Sequence, residues 1–178
     1  MRWGAHVAIG IGLGAAIQPL AIPAAVLGAT APDWLEWLLT LSGRPVKHRT
    51  VTHTTIYWVL AAFLLLFATK DGVFLHLFGF ALGGLSHVLA DACTVSGVPF
   101  WPWSTRRFHL FGGRLRTGQP AEVIFSALVL VCGVAIALLV HRGGGDSGYM
   151  PFFPDYADKY QRGVIDAQEW KQHRFTII

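Results

Sequence analysis

Apolar residues along this chain fall into four long stretches: Val7 to Thr30, Thr54 to Ala68, Val73 to about Ala92, and Ala121 to Leu139. A helix rising 1.5 Å per residue needs about 20 apolar residues to cross a bilayer. The third and fourth stretches meet that length directly. The second meets it if its helix runs from Val51 to Thr69, with His53 at the interface. The pattern predicts an all-α integral membrane protein.

The first stretch admits two readings. One is a single span. The other is two short helices, Ala5 to Ile17 and Pro23 to Thr30, broken at Gln18-Pro19. Proline lacks a backbone donor and clashes with the preceding turn, and Pro23 reinforces the interruption. Each half is too short to cross alone, so the pair would form a re-entrant or broken hairpin. A straight helix would separate His6 from Asp33 by about 40 Å, whereas a hairpin returns both to one side. The hairpin is the preferred expectation, because the other polar landmarks collect on that same side. The predicted architecture is therefore this N-terminal hairpin, three transmembrane helices and a C-terminal extramembrane tail.

Connectivity assigns the landmarks. If the second helix starts on the side where His53 lies, the third returns there with His87 and Asp91 at its end. The segment from Ser96 to Pro120 then lies on that side as well, and His76 falls at the opposite end. With the hairpin, that side carries Arg2, Arg44, Lys47, Arg49, Arg106, Arg107, Arg114 and Arg116, against Lys70 and Arg142 on the other. By the positive-inside rule the basic side is cytoplasmic. The expected chain is multi-pass, with a site opening toward the cytoplasm or the inner leaflet.

Composition agrees with this reading. Hydrophobic residues make up 53% of the 178 residues and charged residues 13%, about half the charged share of a soluble domain. Mean hydropathy is +0.49. Disorder, a coiled coil and an ordinary soluble enzyme fit poorly. The net charge of +4 reports topology rather than nucleic acid: no dense basic run, helix-turn-helix or zinc-finger pattern accompanies it. Cys93 and Cys132 lie apart in apolar stretches and read as small buried hydrophobes. The first apolar stretch is interrupted by prolines and is not expected to be a cleaved signal. Residues 1–141 form the expected membrane-embedded domain. Residues 142–178 form a tail beyond a Gly143-Gly144-Gly145 hinge, with a short helix expected over Asp155 to Lys171.

The candidate chemistry lies on the basic side. His87 and Asp91 stand one turn apart on one helix face, where they could ligate a divalent metal or form a structural hydrogen-bonded pair. Both are costly in an apolar helix unless paired or ion-bound. His48 is expected in a loop and His53 on the first turn of the second helix. Asp33 follows Pro32, with Glu36 one turn later; Pro32 could equally open a short interfacial helix with Asp33 at its positive end. His6 borders the first stretch. His6, Asp33, His48, His53, His87 and Asp91 thus reach one side from four segments. Such nitrogen and oxygen donors suit zinc, or a two-metal site of zinc, manganese or magnesium. Arg49, Arg106 and Arg107 could hold a phosphate or anchor headgroups.

The set Ala5-His6, Pro32-Asp33, His48-Arg49-Thr-Val-Thr52-His53-Thr54, Ser86-His87-x-x-x-Asp91 and Gly97-Val-Pro-Phe-Trp-Pro102 resembles the inner-membrane metal-dependent hydrolases of the YdjM type, also labelled LexA-binding, inner-membrane-associated hydrolases. The resemblance covers about three quarters of the chain. It implies a multi-helix inner-membrane protein with a metal site. It also implies a distant likeness to zinc-dependent phospholipase C, whose His-x-x-x-Asp ligand pair resembles His87 and Asp91. Two positions depart from the family pattern. Its Pro-Asp-x-Asp is Pro32-Asp33-Trp34-Leu35-Glu36 here, which removes one carboxylate, and its Thr-His is Ala5-His6.

The resulting expectation is hydrolysis of a phosphoester in a lipid or lipid-linked substrate by metal-activated water. His53, His87 and Asp91 would hold the metal, most readily zinc, with one or two ions. His6, Asp33 or His48 would complete the shell. Asp33 would serve as general base or second-metal ligand, and Arg49 would hold the phosphate. Trp101, Pro102 and Trp103 would lie at the interface, with 104–116 as a flap. The rivals are a metal-stabilised structural or regulatory protein without turnover, and a metal or small-solute carrier. A carrier would want polar groups continuing to the far face, where His76 is the one histidine. Gly79, Gly83 and Gly84 read instead as helix-packing positions.

Overall fold

The computed structural model describes residues 1–44, 46–67, 72–141 and 159–169. Five helices dominate: α1 Trp3–Ile17, α2 Ile22–Leu41, α3 Thr55–Leu66, α4 Gly72–Ala92 and α5 Pro120–His141. A 3-10 turn over Pro19–Ala21 joins α1 to α2. Two-residue strands, β1 Val98–Pro99 and β2 Arg107–Phe108, pair antiparallel, a minor addition to the expected all-α fold.

The break at Gln18-Pro19 is observed. Gln18 is extended, with φ −169° and ψ 139°, the region into which a following proline forces a residue. Pro23 then sits in the first turn of α2, where its missing donor costs nothing. The chain turns back, so that Gly14 lies against Ile22 and Gly10 against Ala25 and Val26. This antiparallel hairpin brings His6 and Asp33 to the same end.

Two expectations about helix limits need correction. The second arm does not stop at Thr30: α2 runs through Pro32 to Leu41. Pro32 removes the hydrogen bond to the Gly28 carbonyl, yet side-chain donors support this turn. Trp34 Nε1 donates to Leu27 O at 3.3 Å, and Thr30 Oγ1 donates to Leu27 O at 3.1 Å. The second correction concerns α3, which begins at Thr55 rather than Val51, after turns that hold residues 51–53. His53 therefore precedes the helix, because its side chain and those of its neighbours are drawn inward to α2. Two helices are long and apolar enough to cross a membrane, over Val73–Ala92 and Pro120–Leu139. The 12 residues of α3 fall short of that length within the described residues.

Helix packing depends on close backbone approach. A Cβ on Gly83 would meet Ala25 O at 2.1 Å, and one on Gly28 would meet Phe80 O at 2.0 Å. Side chains at these positions would force α2 and α4 apart. Gly12 and Gly133 bring α1 against α5 in the same way. Trp58 of α3 closes over Gly84 and packs with Ala31, Val88, Ala92 and Val98 in the main apolar core. On the outer faces Phe63, Leu64 and Leu66 of α3, and Val123, Val131 and Leu139 of α5, are exposed. That apolar exterior suits a lipid environment.

The segment after α4 is fastened rather than loose. Leu110 N donates to Ala92 O at 2.9 Å and Leu115 N to Cys93 O at 3.0 Å, satisfying carbonyls at the helix end. Glu122, buried at the start of α5, accepts from the backbone N–H groups of Arg2 and Gly118. It thereby ties the start of α1 to α5. Of the tail, 142–158 and 170–178 lie outside the described residues. Within 159–169, two short helical turns flank a turn in place of the continuous helix expected over Asp155 to Lys171.

Candidate metal centre

The centre lies where the ends of α2 and α4 meet the start of α1 and the loop before α3. Because α2 and α4 run in the same direction, Asp33 and His87 emerge at one level. The i, i+4 spacing sets Asp91 one turn beyond His87. His53 comes from the 46–54 loop and is fully buried, as are His6, His87 and Asp91.

Hydrogen bonds determine which ring nitrogens face inward. His87 Nδ1 lies 2.7 Å from Ala29 O. A carbonyl only accepts, so Nδ1 carries the hydrogen and Nε2 presents its lone pair. His53 Nδ1 lies 3.0 Å from Glu36 Oε1, an acceptor that orients this ring in the same sense. The two Nε2 atoms then face each other at 3.2 Å. Two lone pairs so placed repel unless a proton or a cation lies between them.

Carboxylate oxygens approach the same point. Asp33 Oδ1 is 3.4 Å from His53 Nε2 and 3.7 Å from His87 Nε2. Asp91 Oδ2 is 3.8 and 3.7 Å from the same two atoms. In a tetrahedron with ligands at about 2.0 to 2.1 Å from zinc, donor atoms lie about 3.3 Å apart. Every one of these spacings is within about half an ångström of that value, so the residues fit a divalent ion. The outward Nδ1 partners are those that fix metal-ligating histidines. Asp33, His53 and His87 form one group able to hold a metal, His6, His87 and Asp91 a second, and Glu36, His48 and His53 a third, at the outer edge.

His6 stacks on His87 with ring centroids 3.7 Å apart. Its Nε2 is 3.6 Å from Asp91 Oδ1, and among the described residues neither of its nitrogens has a hydrogen-bond partner. Burial disfavours charge on His53, yet hydrogen bonds to Asp33 and Glu36 hold its pKa above the ordinary histidine value.

A model of the YdjM inner membrane protein family matches residues 1–144, a span that contains every residue of the centre. The chain belongs to that family. It is similar to the inner membrane protein YdjM of Escherichia coli (strain K12) and to that of Shigella flexneri. Each is 35% identical over 97 residues, covering 46% of this chain and 48% of the relative. The chain spans about half the length of these curated relatives. No solved structure matches it.

In this YdjM-family chain the other expected residues take different places. His48 does not join the convergent point. Its side chain is 66% exposed and its Nδ1 meets Glu36 Oε2 at 2.7 Å. Glu36, which the sequence marks only as a carboxylate one turn after Asp33, organises the loop. Its carboxylate also accepts from Arg49 N at 2.8 Å and Thr52 Oγ1 at 3.1 Å. Arg49 turns inward to Asp91, with Nη2 2.9 Å from Oδ1, and its Nη1 donates to Thr94 Oγ1 at 3.0 Å. The Met1 nitrogen bears on the same Asp91 oxygen. Arg107 lies across the loop, Nη1 donating to Arg49 O at 2.6 Å. The only signal for Glu36 is its spacing from Asp33; none pointed to Thr94 or Glu122.

Proposed function

We propose that this chain is a metal-dependent hydrolase of the inner membrane that cleaves a phosphoester in a lipid or lipid-linked substrate. The observation that carries this reading is the convergence of His53 Nε2, His87 Nε2, Asp33 Oδ1 and Asp91 Oδ2, with the two imidazole nitrogens 3.2 Å apart. His53, His87 and Asp91 would hold the ion and leave a position open to water, with Asp33 and His6 beside them. Imidazole and carboxylate donors without thiolate favour zinc, with manganese or magnesium as alternatives. A divalent ion bound there supplies Lewis-acid charge and lowers the pKa of water.

The protein's own groups divide the remaining work. Glu36 and Ala29 O orient the two imidazoles. Asp33, the most exposed of the four with 17% of its side chain accessible, would accept the proton from water. Arg49 carries positive charge beside Asp91, where charge develops on a phosphoryl oxygen. Exposed Arg106 and Arg107, with the stacked rings of Trp101 and Trp103, would form an interfacial belt on this side. The excess of basic residues on this side supports a cytoplasmic orientation. The hairpin of α1 and α2, with α3, α4 and α5, makes up the membrane-embedded part.

Four protein donors also make the count of a closed structural centre, which favours a second reading, a metal-stabilised protein without turnover. Structural zinc centres are built mostly from thiolates, and Cys93 is not among the convergent groups. Metal analysis of the protein in mild detergent, beside His87→Ala and Asp91→Ala, tests the centre. The expected result is at least one equivalent of divalent ion in the parent and its loss in both folded variants. A parent that takes up neither zinc nor manganese rules out the hydrolase reading. If metal is present, release of phosphate or phospho-headgroup from phosphoester lipids separates turnover from a structural role.

A further inference from the structure

The two oxygens of Asp91 face different surroundings. Oδ2 faces the imidazoles of His53 and His87. Oδ1 accepts from Arg49 Nη2 at 2.9 Å and lies 3.6 Å from His6 Nε2, with the Met1 nitrogen also against it. In two-metal hydrolases a carboxylate set between the ions gives one oxygen to each. Here the Arg49 guanidinium already lies against Oδ1.

We propose that the centre is built for a single divalent ion and that the Arg49 guanidinium stands where a second ion would lie. The proposal rests on the reading of the cluster as a metal centre and specifies its stoichiometry. Arg49 is fixed from several directions. Its side chain is 11% exposed, and its Nη1 is held by Thr94 Oγ1, which in turn donates to Asp91 O at 2.7 Å. Its backbone has φ +58°, a left-handed conformation that side-chain-bearing residues rarely adopt. Glu36 holds its N–H and Arg107 its carbonyl in that conformation. Strain maintained by so many contacts marks a residue whose direction matters. A guanidinium keeps its charge at any working pH, so it neutralises Oδ1 permanently. Its buried Nε has no hydrogen-bond partner among the described residues.

Arg49→Asn and Arg49→Gly test the assignment, because both residues accept left-handed backbone while removing the guanidinium. Zinc and manganese stoichiometry would be measured by elemental analysis and native mass spectrometry in mild detergent. Electron paramagnetic resonance of the manganese-loaded proteins would follow. The expected result is one equivalent in the parent, and a second, weaker equivalent in both variants with a coupled dimanganese signal. Two equivalents in the parent would overturn the proposal while sparing the metal centre. So would variants that stay at one equivalent with unchanged affinity, or variants that lose the first ion while melting as folded proteins. A parent that binds no ion overturns the metal reading itself, and this proposal with it.

Discussion

Two clusters of histidine and carboxylate lie side by side in this molecule, and they differ in how completely their polar groups are paired. In the outer one, Glu36 accepts from His48 Nδ1, His53 Nδ1, Arg49 N and Thr52 Oγ1. Every contact joins a donor to an acceptor, and the cluster holds the 46–54 loop on α2. In the inner one, two imidazole nitrogens face each other at 3.2 Å, and buried His6 has no hydrogen-bond partner among the described residues. Native proteins seldom leave buried polar atoms unpaired. The same residue types therefore make a scaffold in one place and a cation-binding arrangement in the other. His53 belongs to both, Nδ1 outward and Nε2 inward.

Glu36→Leu is expected to break this comparison most severely. Leucine keeps much of the volume but removes both carboxylate oxygens, leaving His53 Nδ1, Arg49 N and Thr52 Oγ1 without their acceptor. Leaving buried donors unpaired costs about 1–3 kcal/mol each, so destabilisation of about 3 kcal/mol is expected in thermal unfolding. Metal affinity should fall about 10- to 100-fold, as for other changes in the groups that orient a ligand. Unchanged metal affinity would show that the two clusters are independent.

Sequence alone went far with the inner cluster and little way with the outer. The His87–Asp91 pair was legible because helical periodicity fixes which residues share a face. The turn at Gln18-Pro19 was legible because proline restricts its predecessor, and that turn brought His6 and Asp33 together. The role of Glu36 was hidden because its partners lie 12 to 17 residues away in a loop without periodicity. Arg49 reaches Asp91 across 42 positions from a left-handed backbone that its own residue type does not favour. His48 stands in the sequence as an optional shell ligand for the same reason, since spacing in a loop does not say which ring turns inward. The length of α3 was misjudged because the apolar run continues past a start set by tertiary contacts at His53 and Trp58.

Metal removal sharpens the comparison next. The pKa of His53 is raised in the folded, metal-free protein. Its protonation thus stabilises the fold below the ordinary histidine pKa of about 6.5, and that contribution fades as pH rises through the higher folded value. Metal binding requires the neutral ring. The increment a metal adds should therefore grow with pH, approaching about 2.7 kcal/mol when free metal is 100 times its Kd. Chelation is expected to lower Tm by several degrees at about pH 8 and much less at about pH 5.5. An equal drop at both values would detach His53 from the bound ion.

The smallest effect is expected at the outer edge. His48→Ala removes one of four donors to Glu36, and the one with the most exposed side chain. An exposed ionic hydrogen bond contributes about 0.5 kcal/mol or less, and the remaining three donors keep the carboxylate in place. Stability and metal stoichiometry should both stay near the parent values, in contrast to His53→Ala, which removes an inward nitrogen and should empty the centre. Thermal unfolding and metal analysis of the two variants side by side make the check. Loss of the ion in His48→Ala would mean that His48 swings inward to ligate it. The division between scaffold and centre would then run through the loop rather than through His53.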